Sequence, residues 1–472
     1  MDIDGFKRHI QGAVPVFSAI PKDKTIRIIS HFDCDGVCAA SILIKALNRD
    51  NRKYSITVLT QLEEKSLRVL SNEDYEYYVF ADLGSGHESK IKALFSGKKF
   101  FIFDHHELEP SSEKSFYHIN PHFFGIDGSK EISGAGVVYM FAKEFNSENI
   151  DSAHLAVIGA VGDVQESNGF KKLNNEILED AVGKNLLYVK KELNLYGCQT
   201  RPIHKSLEYS TNVFIPGVSG SECGAIKLLN DVGINPKKGS GWRTLADLDD
   251  DDKRKLASAI LLRRLDEENA EDIFAFSYFL SNEKKGTPFY SVKEFSTLLN
   301  ACGRMNKASV GIGACLDSNK MKQKAMLTQK EYKREIMKAM NWYEDNKKNK
   351  GVVINKERYM ILNAKNNIMP SIVGTMASMI AKSGSVEEGK YIMSLARPDL
   401  NTTKISLRIA GLREQKNIDL REIVNTITRK VGGESGGHMH AAGAIIPSAI
   451  EDKFISCAVD VLEKKSMEER MF

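Results

Sequence analysis

The chain lacks any run of about 18 consecutive apolar residues, the length a helix needs to cross a bilayer. Its first residues, MDIDGFKRHI, carry acidic groups where a secretory signal is basic and then apolar, so a cytoplasmic protein with no membrane partner is expected. Paired CxxC strings are also missing. The seven cysteines, at 34, 38, 198, 223, 302, 315 and 457, are scattered and odd in number, which argues against a thiolate zinc ribbon or a disulfide framework and leaves reduced thiols filling core space. Charge of one sign is scarce: 66 basic against 62 acidic residues give a net +4, so composition makes no case for a polyanionic partner and any basic surface must be local. No internal repeat or low-complexity tract breaks the chain. A hydrophobic content of 42% over 472 residues predicts two or three domains.

What is present is a succession of apolar, β-branched runs. TIRIIS, YYVFA and KFFIF, ending at Ser30, Ala81 and Phe103, read as buried parallel strands, and they alternate with helical patterns such as Val37 to Leu47 and Ala135 to Phe145. That alternation predicts an α/β fold with a doubly wound parallel sheet over residues 1–213. Over 214–288 the β-runs give way to turn signals (IPGVSGSE, NPKKGSGW) and helical stretches, as in a helical insertion. Residues 289–348 return to the first domain and end in a connecting helix. There Tyr332, Ile336, Met340 and Tyr343 fall at helical spacing in a charged segment free of glycine and proline. From 349 to 472 short runs (GVVIN, YMILN, YIMSLARP, KISLRIA) predict a second, smaller α/β domain that closes on GGESGGHMHAAGAII.

Chemistry sits at the ends of the first-domain runs, where open α/β sheets collect ligands. His31, Asp33 and Asp35 alternate by two, so on an extended chain an imidazole and two carboxylates share one side, and Cys34 points away as a buried spacer. Asp82 and Asp104-His105-His106 follow the next two runs, and Asp163 follows LAVIGAVG. Each acid alone reads as a helix N-cap. Four such segments together read as a metal site. Oxygen and nitrogen donors without thiolate favour Mn²⁺, with Mg²⁺ possible. Two ions about 3.5–4 Å apart would need a bridging carboxylate, for which Asp82 is the candidate, and would lower a bound water's pKa toward about 7.

The strings HFDCDG, DLG and DHH, with a later isolated aspartate, resemble the motifs of the DHH phosphoesterase family. GGESGGHMHAAGA and Ser406-Leu-Arg408 are similar to the family's DHH-associated domain, and Leu299-Asn300-Ala-Cys-Gly303-Arg304 to a segment of the RecJ-type exonucleases, in particular their archaeal, GINS-associated branch. The resemblance implies one ion on His31, Asp33 and Asp82 and another on Asp35, Asp82, His105 and Asp163. It implies that Asp104 supports the site and that His106 lies near the scissile phosphate. Arg304, Ser406, Arg408, Gly436, Gly437 and His438 would contact nucleic acid, the glycine loop through backbone N–H groups that grip phosphate without reading bases. The implied activity is a two-metal exonuclease of single-stranded DNA or RNA in replication or repair. An oligonucleotide or small-phosphoanhydride phosphoesterase, and a replication scaffold whose insertion docks a GINS-type complex, are the alternatives.

Overall fold

A computed structural model describes residues 1–167, 169–210, 213–267, 269–383, 385–411 and 418–468. It divides into two compact units, Met1–Gln329 and Lys330–Phe472.

The first unit is built on five parallel strands: β1 (Thr25–His31), β2 (Lys53–Leu59), β3 (Tyr77–Ala81), β4 (Lys99–Phe103) and β5 (His118–Ile119), in the order β2-β1-β3-β4-β5. Because side chains alternate along a strand, each run feeds two layers. Ile26, Ile28, Val79, Phe101 and Phe103 pack with α1 (Ile3–Ser18), α2 (Cys34–Arg49), α5 (Gly134–Phe145) and α6 (Ala153–Gly162). Ile29, Tyr78, Phe80 and Ile102 pack with α3 (Glu64–Ser71) and α4 (Glu88–Leu94). The sheet is therefore doubly wound, as the runs predict. From β1 the chain steps outward to β2 and then returns to β3 on the other side of β1. The carboxyl ends of β1 and β3, aligned with Ser30 opposite Ala81, thus flank the switch point where a crevice opens.

After α7 (Lys172–Gly183) comes β6 (Leu187–Leu193). A smaller core of Leu207, Leu228, Leu256 and Ile260 then gathers α8 (Ile203–Glu208), α9 (Glu222–Asp231) and α10 (Asp250–Arg263), with the exposed short pair β7 (Lys237–Lys238) and β8 (Gly241–Trp242) between α9 and α10 in sequence. The segment 214–288 is not free of strands as expected. It contains β9 (Phe274–Leu280), whose sequence FAFSYFL pairs antiparallel with β6 along its whole length. Helices α11 (Val292–Arg304) and α12 (Ala308–Cys315) rejoin the first core through Phe295, Leu298, Leu299 and Ile312. The expected connecting helix is α13 (Asn319–Asn346), which buries Tyr332, Ala339 and Tyr343.

The second unit is a six-stranded sheet, β10 (Val353–Asn355), β11 (Tyr359–Asn363), β12 (Tyr391–Ala396), β13 (Thr402–Ile409), β14 (Glu434–His438) and β15 (Ala441–Pro447). Its order is β10-β11-β12-β13-β15-β14, with only β11 and β12 parallel. Helices α14 (Pro370–Lys382), α15 (Leu420–Val431) and α16 (Glu451–Glu468) complete it. Ile361, Met393, Leu407, Ile423 and Phe454 form its core.

Candidate metal centre

His31 ends β1, but the chain does not stay extended past it. Asp33 takes the N-cap of α2, accepting from the Gly36 N–H at 3.1 Å, and Asp35 lies in the first helical turn. The alternation by two is therefore not what gathers these three side chains. A helix start does, with Asp33 both a cap and a member of the site. Asp82 follows β3 with φ 58, a left-handed backbone that costs an aspartate of order 1–3 kcal/mol and turns the carboxylate off the strand axis. Asp163 caps the end of α6, so the apolar run before it is a helix, not a further strand.

The ligand atoms form three overlapping groups, His31/Asp33/Asp82, Asp35/His105/Asp163 and Asp82/His105/His106, each with its atoms within 4.8 Å of one another. His31 Nδ1 stands 2.8 Å from Asp33 Oδ2 and 3.6 Å from Asp82 Oδ2. His105 Nε2 stands 3.3 Å from Asp82 Oδ1, 3.4 Å from Asp163 Oδ2 and 3.8 Å from Asp35 Oδ2. None of these contacts is aligned as a hydrogen bond. His31 Nδ1, both Asp82 oxygens and His105 Nε2 are buried with no hydrogen-bond partner. Unsatisfied polar atoms are rare in cores, and a cluster of them around a common point is what a site for cations requires.

Neighbouring groups orient this set. His105 Nδ1 lies 2.7 Å from the Gly128 carbonyl and so donates there, which leaves Nε2 as the lone-pair nitrogen facing the carboxylates. Asp35 accepts from the Gly134 and Ala135 N–H groups at the start of α5, at 2.6 and 3.0 Å. Asp104 is fully engaged: it accepts from the N–H groups of Ser85, His105 and His106 and from His106 Nδ1 at 2.7 Å, so it holds the loop rather than an ion. A Cβ at Gly134 would stand 2.8 Å from Asp82 Cβ and Cγ, and one at Gly159 would strike Asp35 Oδ1. Bare backbone lines the crevice where the carboxylates must fit.

The electrostatics also call for cations. Burial, then the Asp82 charge, pushes Asp35 up to about 7. Burial and Asp35 raise Asp163 well above the carboxylate range. Burial opposes charge on His31 and His105, yet Asp33 raises the first and Asp82 the second well above the ordinary imidazole value. Carboxylates this crowded and buried cannot all ionise alone. Divalent cations relieve that conflict, and a donor set of oxygen and imidazole nitrogen without thiolate suits Mn²⁺ or Mg²⁺.

Family models match most of the chain: the DHH family N-terminal domain over residues 25–161, the DHH-CID domain over 195–273 and the DHHA1 domain over 356–464. An uncharacterised protein of Methanocaldococcus jannaschii is 30% identical over 452 residues, 93% of each chain. The chain belongs to the DHH family. RecJ of Thermus thermophilus in complex with Mn²⁺ superposes on 97% of the DHH protein with TM-score 0.60 at 14% identity, and the match spans 55% of that longer chain. An exonuclease RecJ bound to manganese gives TM-score 0.58 and 15% identity over 96% of the DHH protein and 94% of the other. CDC45 of Entamoeba histolytica gives 0.61 and 12% over 98% and 99%. The DHH protein thus has the RecJ-type fold and is a metal-dependent phosphoesterase by family.

The remaining sequence candidates of the DHH protein are more dispersed. Arg304 lies with its guanidinium 5.9 Å from the centre of the Phe32 ring, beside His31. In the second unit Arg408 donates to Ser378 Oγ and to the Leu407 and Ala442 carbonyls, and the Ser406 carbonyl accepts from Ser394 Oγ. Gly436 and Gly437 belong to β14, the sheet edge, paired with Gly443 and Ala442. Alternate N–H groups of an edge strand point away from its partner. The side chain of His438 lies outside the described part of the protein. Sequence reasoning missed Ser85, Gly128, Gly134, Asn120 and Asn300, whose Oδ1 accepts from the Cys34 N–H at 3.0 Å between two candidate ligands. Asn300 falls in the Leu299 to Arg304 string, which was the one available signal.

Proposed function

We propose that the DHH protein is an exonuclease that hydrolyses phosphodiester bonds at an end of single-stranded DNA or RNA, in replication or repair, with two divalent cations, Mn²⁺ or in its place Mg²⁺. The observation that carries this reading is Asp82, whose unpartnered oxygens face His31 on one side and His105 on the other, as a carboxylate shared by two ions must. His31, Asp33 and Asp82 would hold one ion, and Asp35, Asp82, His105 and Asp163 the second. When bound, the pair supplies Lewis acidity and a water of lowered pKa. His106, held through Nδ1 by Asp104, gives its other ring nitrogen to a non-bridging phosphate oxygen. Burial opposes charge on His106, but Asp104 raises its pKa, which favours a donor there. Arg304, Ser406, Arg408, Gly436, Gly437 and His438 hold the strand's phosphates.

The likeness to an exonuclease RecJ supports a polymer over a small phosphoanhydride as substrate. The fold of CDC45 favours a second reading, a replication scaffold whose insertion, residues 214–288, docks a GINS-type complex. Digestion of matched DNA and RNA strands, labelled at each end, with Mn²⁺, Mg²⁺ or chelator separates these. Stepwise shortening with Mn²⁺ that chelator abolishes supports the nuclease. Intact strands alongside hydrolysed dinucleotide or pyrophosphate would replace it with the small-substrate enzyme. No hydrolysis of any phosphoester leaves the scaffold.

A further inference from the structure

A buried polar chain runs from behind the Asp104-His105-His106 string to the surface, and no step above uses it. Asp104 Oδ2 accepts from the Ser85 N–H at 2.9 Å. The Ser85 hydroxyl lies 2.9 Å from His118 Nε2 and accepts from Asn120 Nδ2 at 2.8 Å, and the same amide donates to the His106 carbonyl at 2.9 Å. His118 Nδ1 faces Glu88 Oε2 at 3.2 Å, an ion-pair contact not aligned as a hydrogen bond, and Glu88 meets Lys92 at the surface at 2.8 Å. Ser85, Glu88, His118 and Asn120 are all at least 98% buried. They come from the turn after β3, the start of α4, β5 and the residue just after it.

The proton count gives the chain a direction. Ser85 Oγ already receives the Asn120 amide, so its own proton goes to His118 Nε2, and the ring's remaining proton sits on Nδ1 toward Glu88. A doubly protonated ring would send a second donor to Ser85 Oγ and strand the hydroxyl proton in the core. Glu88, paired with the Lys92 ammonium, keeps its carboxylate as an acceptor facing the ring. Filling this space with apolar side chains would be no worse for stability. The chain grips the string selectively, at the Asp104 carboxylate and the His106 carbonyl. The His105 ring is held separately, by the Gly128 carbonyl.

We propose that Glu88, His118, Ser85 and Asn120 are a positioning relay that fixes the orientation in which the Asp104–His106 pair meets the reacting phosphate, without setting cation affinity. This rests on the phosphodiesterase reading above. The test uses the full chain with Mn²⁺ and an end-labelled single strand. Ser85→Ala and Asn120→Ala are expected to lower kcat about tenfold or more, as losses of such supporting contacts do, with KM and the calorimetric Mn²⁺ Kd within about twofold of the parent. Glu88→Gln, which keeps an acceptor for Nδ1–H, is expected to retain more activity than Glu88→Ala. Unchanged kcat, or Mn²⁺ affinity falling in step with kcat, would overturn the relay. Long-range ¹H–¹⁵N spectra of histidine-labelled, Mg²⁺-loaded protein supply a readout that needs no turnover. They should show His118 as the Nδ1–H tautomer, and both its signals and those of His106 should shift in Ser85→Ala and in Glu88→Ala. Unmoved His106 signals sink the relay alone, whereas a parent protein that degrades no strand sinks the functional reading alone.

Discussion

Replacing Gly134 by alanine should separate cation binding from folding. The new Cβ would stand 2.8 Å from Asp82 Cβ and Cγ, roughly 1 Å short of an ordinary carbon contact of about 3.5–4.0 Å. Asp82 has little room to yield, because its backbone is already left-handed and its N–H is tied to the Phe103 carbonyl at 2.8 Å. The Gly134 N–H also holds Asp35, so a shift of either partner disturbs both candidate ion positions. Metal–ligand bonds tolerate about 0.2 Å. A displacement of nearly 1 Å should therefore weaken Mn²⁺ binding about 100-fold, or about 2.7 kcal/mol. The metal-free fold faces opposing effects: overpacking costs about 1–3 kcal/mol, while alanine in place of glycine in a helix returns up to about 1 kcal/mol. Net destabilisation should stay at about 3 kcal/mol or less. Calorimetric Mn²⁺ titration beside thermal melting in chelator and in Mn²⁺ measures both quantities. Gly86→Ala, where a Cβ meets nothing within 4 Å, is the control. Parental Mn²⁺ affinity in Gly134→Ala would refute the packed-carboxylate geometry.

Further outcomes follow from the same contacts. Asp82→Ala should weaken both ions and lower kcat/KM by more than about 100-fold, beyond the usual loss from a merely supporting group; parental Mn²⁺-dependent cleavage would remove Asp82 from the bridge. In chelator, Asp35 and Asp163 have raised folded pKa values, so the native state binds more protons than the unfolded chain between about pH 4 and 7. The raised histidines act in the same direction above about pH 6.5. Urea unfolding should thus show metal-free stability falling from pH 5 to pH 8, the fall reduced at its lower end by His154, which burial lowers to about 4, with Mn²⁺ flattening the slope, and a rise with pH would contradict the charge arrangement. Asn300→Ala should raise the Mn²⁺ Kd up to about tenfold by orphaning the Cys34 N–H, and calorimetry would show whether α11 supports the site. In the second unit Glu451 accepts from Arg397, Thr403 and Asn363. Glu451→Ala should destabilise that unit by about 3 kcal/mol, visible as faster amide exchange in β11 and β13 with no change in Mn²⁺ binding.

Three strands of the first sheet, β1, β3 and β4, were legible because each is a short β-branched or aromatic run whose alternate residues serve two apolar layers, whereas the half-exposed β2 and the two-residue β5 gave no such run. The acids at their ends were legible for the same reason, since a carboxylate directly after a buried strand has few places to go. What joins them was not. Asp33 obeys the rule for helix caps and for ligands at once, so sequence alone cannot say where α2 starts. LAVIGAVG is apolar on all sides because α6 is buried all round, and periodicity does not tell such a helix from a buried strand. β9 escaped because its partner, β6, lies some eighty residues earlier, and pairing, rather than the turn-rich neighbourhood, decides it. Gly134, Gly159, Ser85 and Asn120 act through close approach or a single hydrogen bond to a distant residue, which leaves no local trace in the sequence.

Asp82 is proposed to stand between two neighbouring cations. Anomalous diffraction at the manganese edge from crystals soaked in Mn²⁺ tests it most directly. Two peaks about 3.5–4 Å apart, one against His31 and Asp33, the other against Asp35, His105 and Asp163, with Asp82 touching both, are expected. A map without density there, or with one peak that Asp82 does not contact, would contradict it.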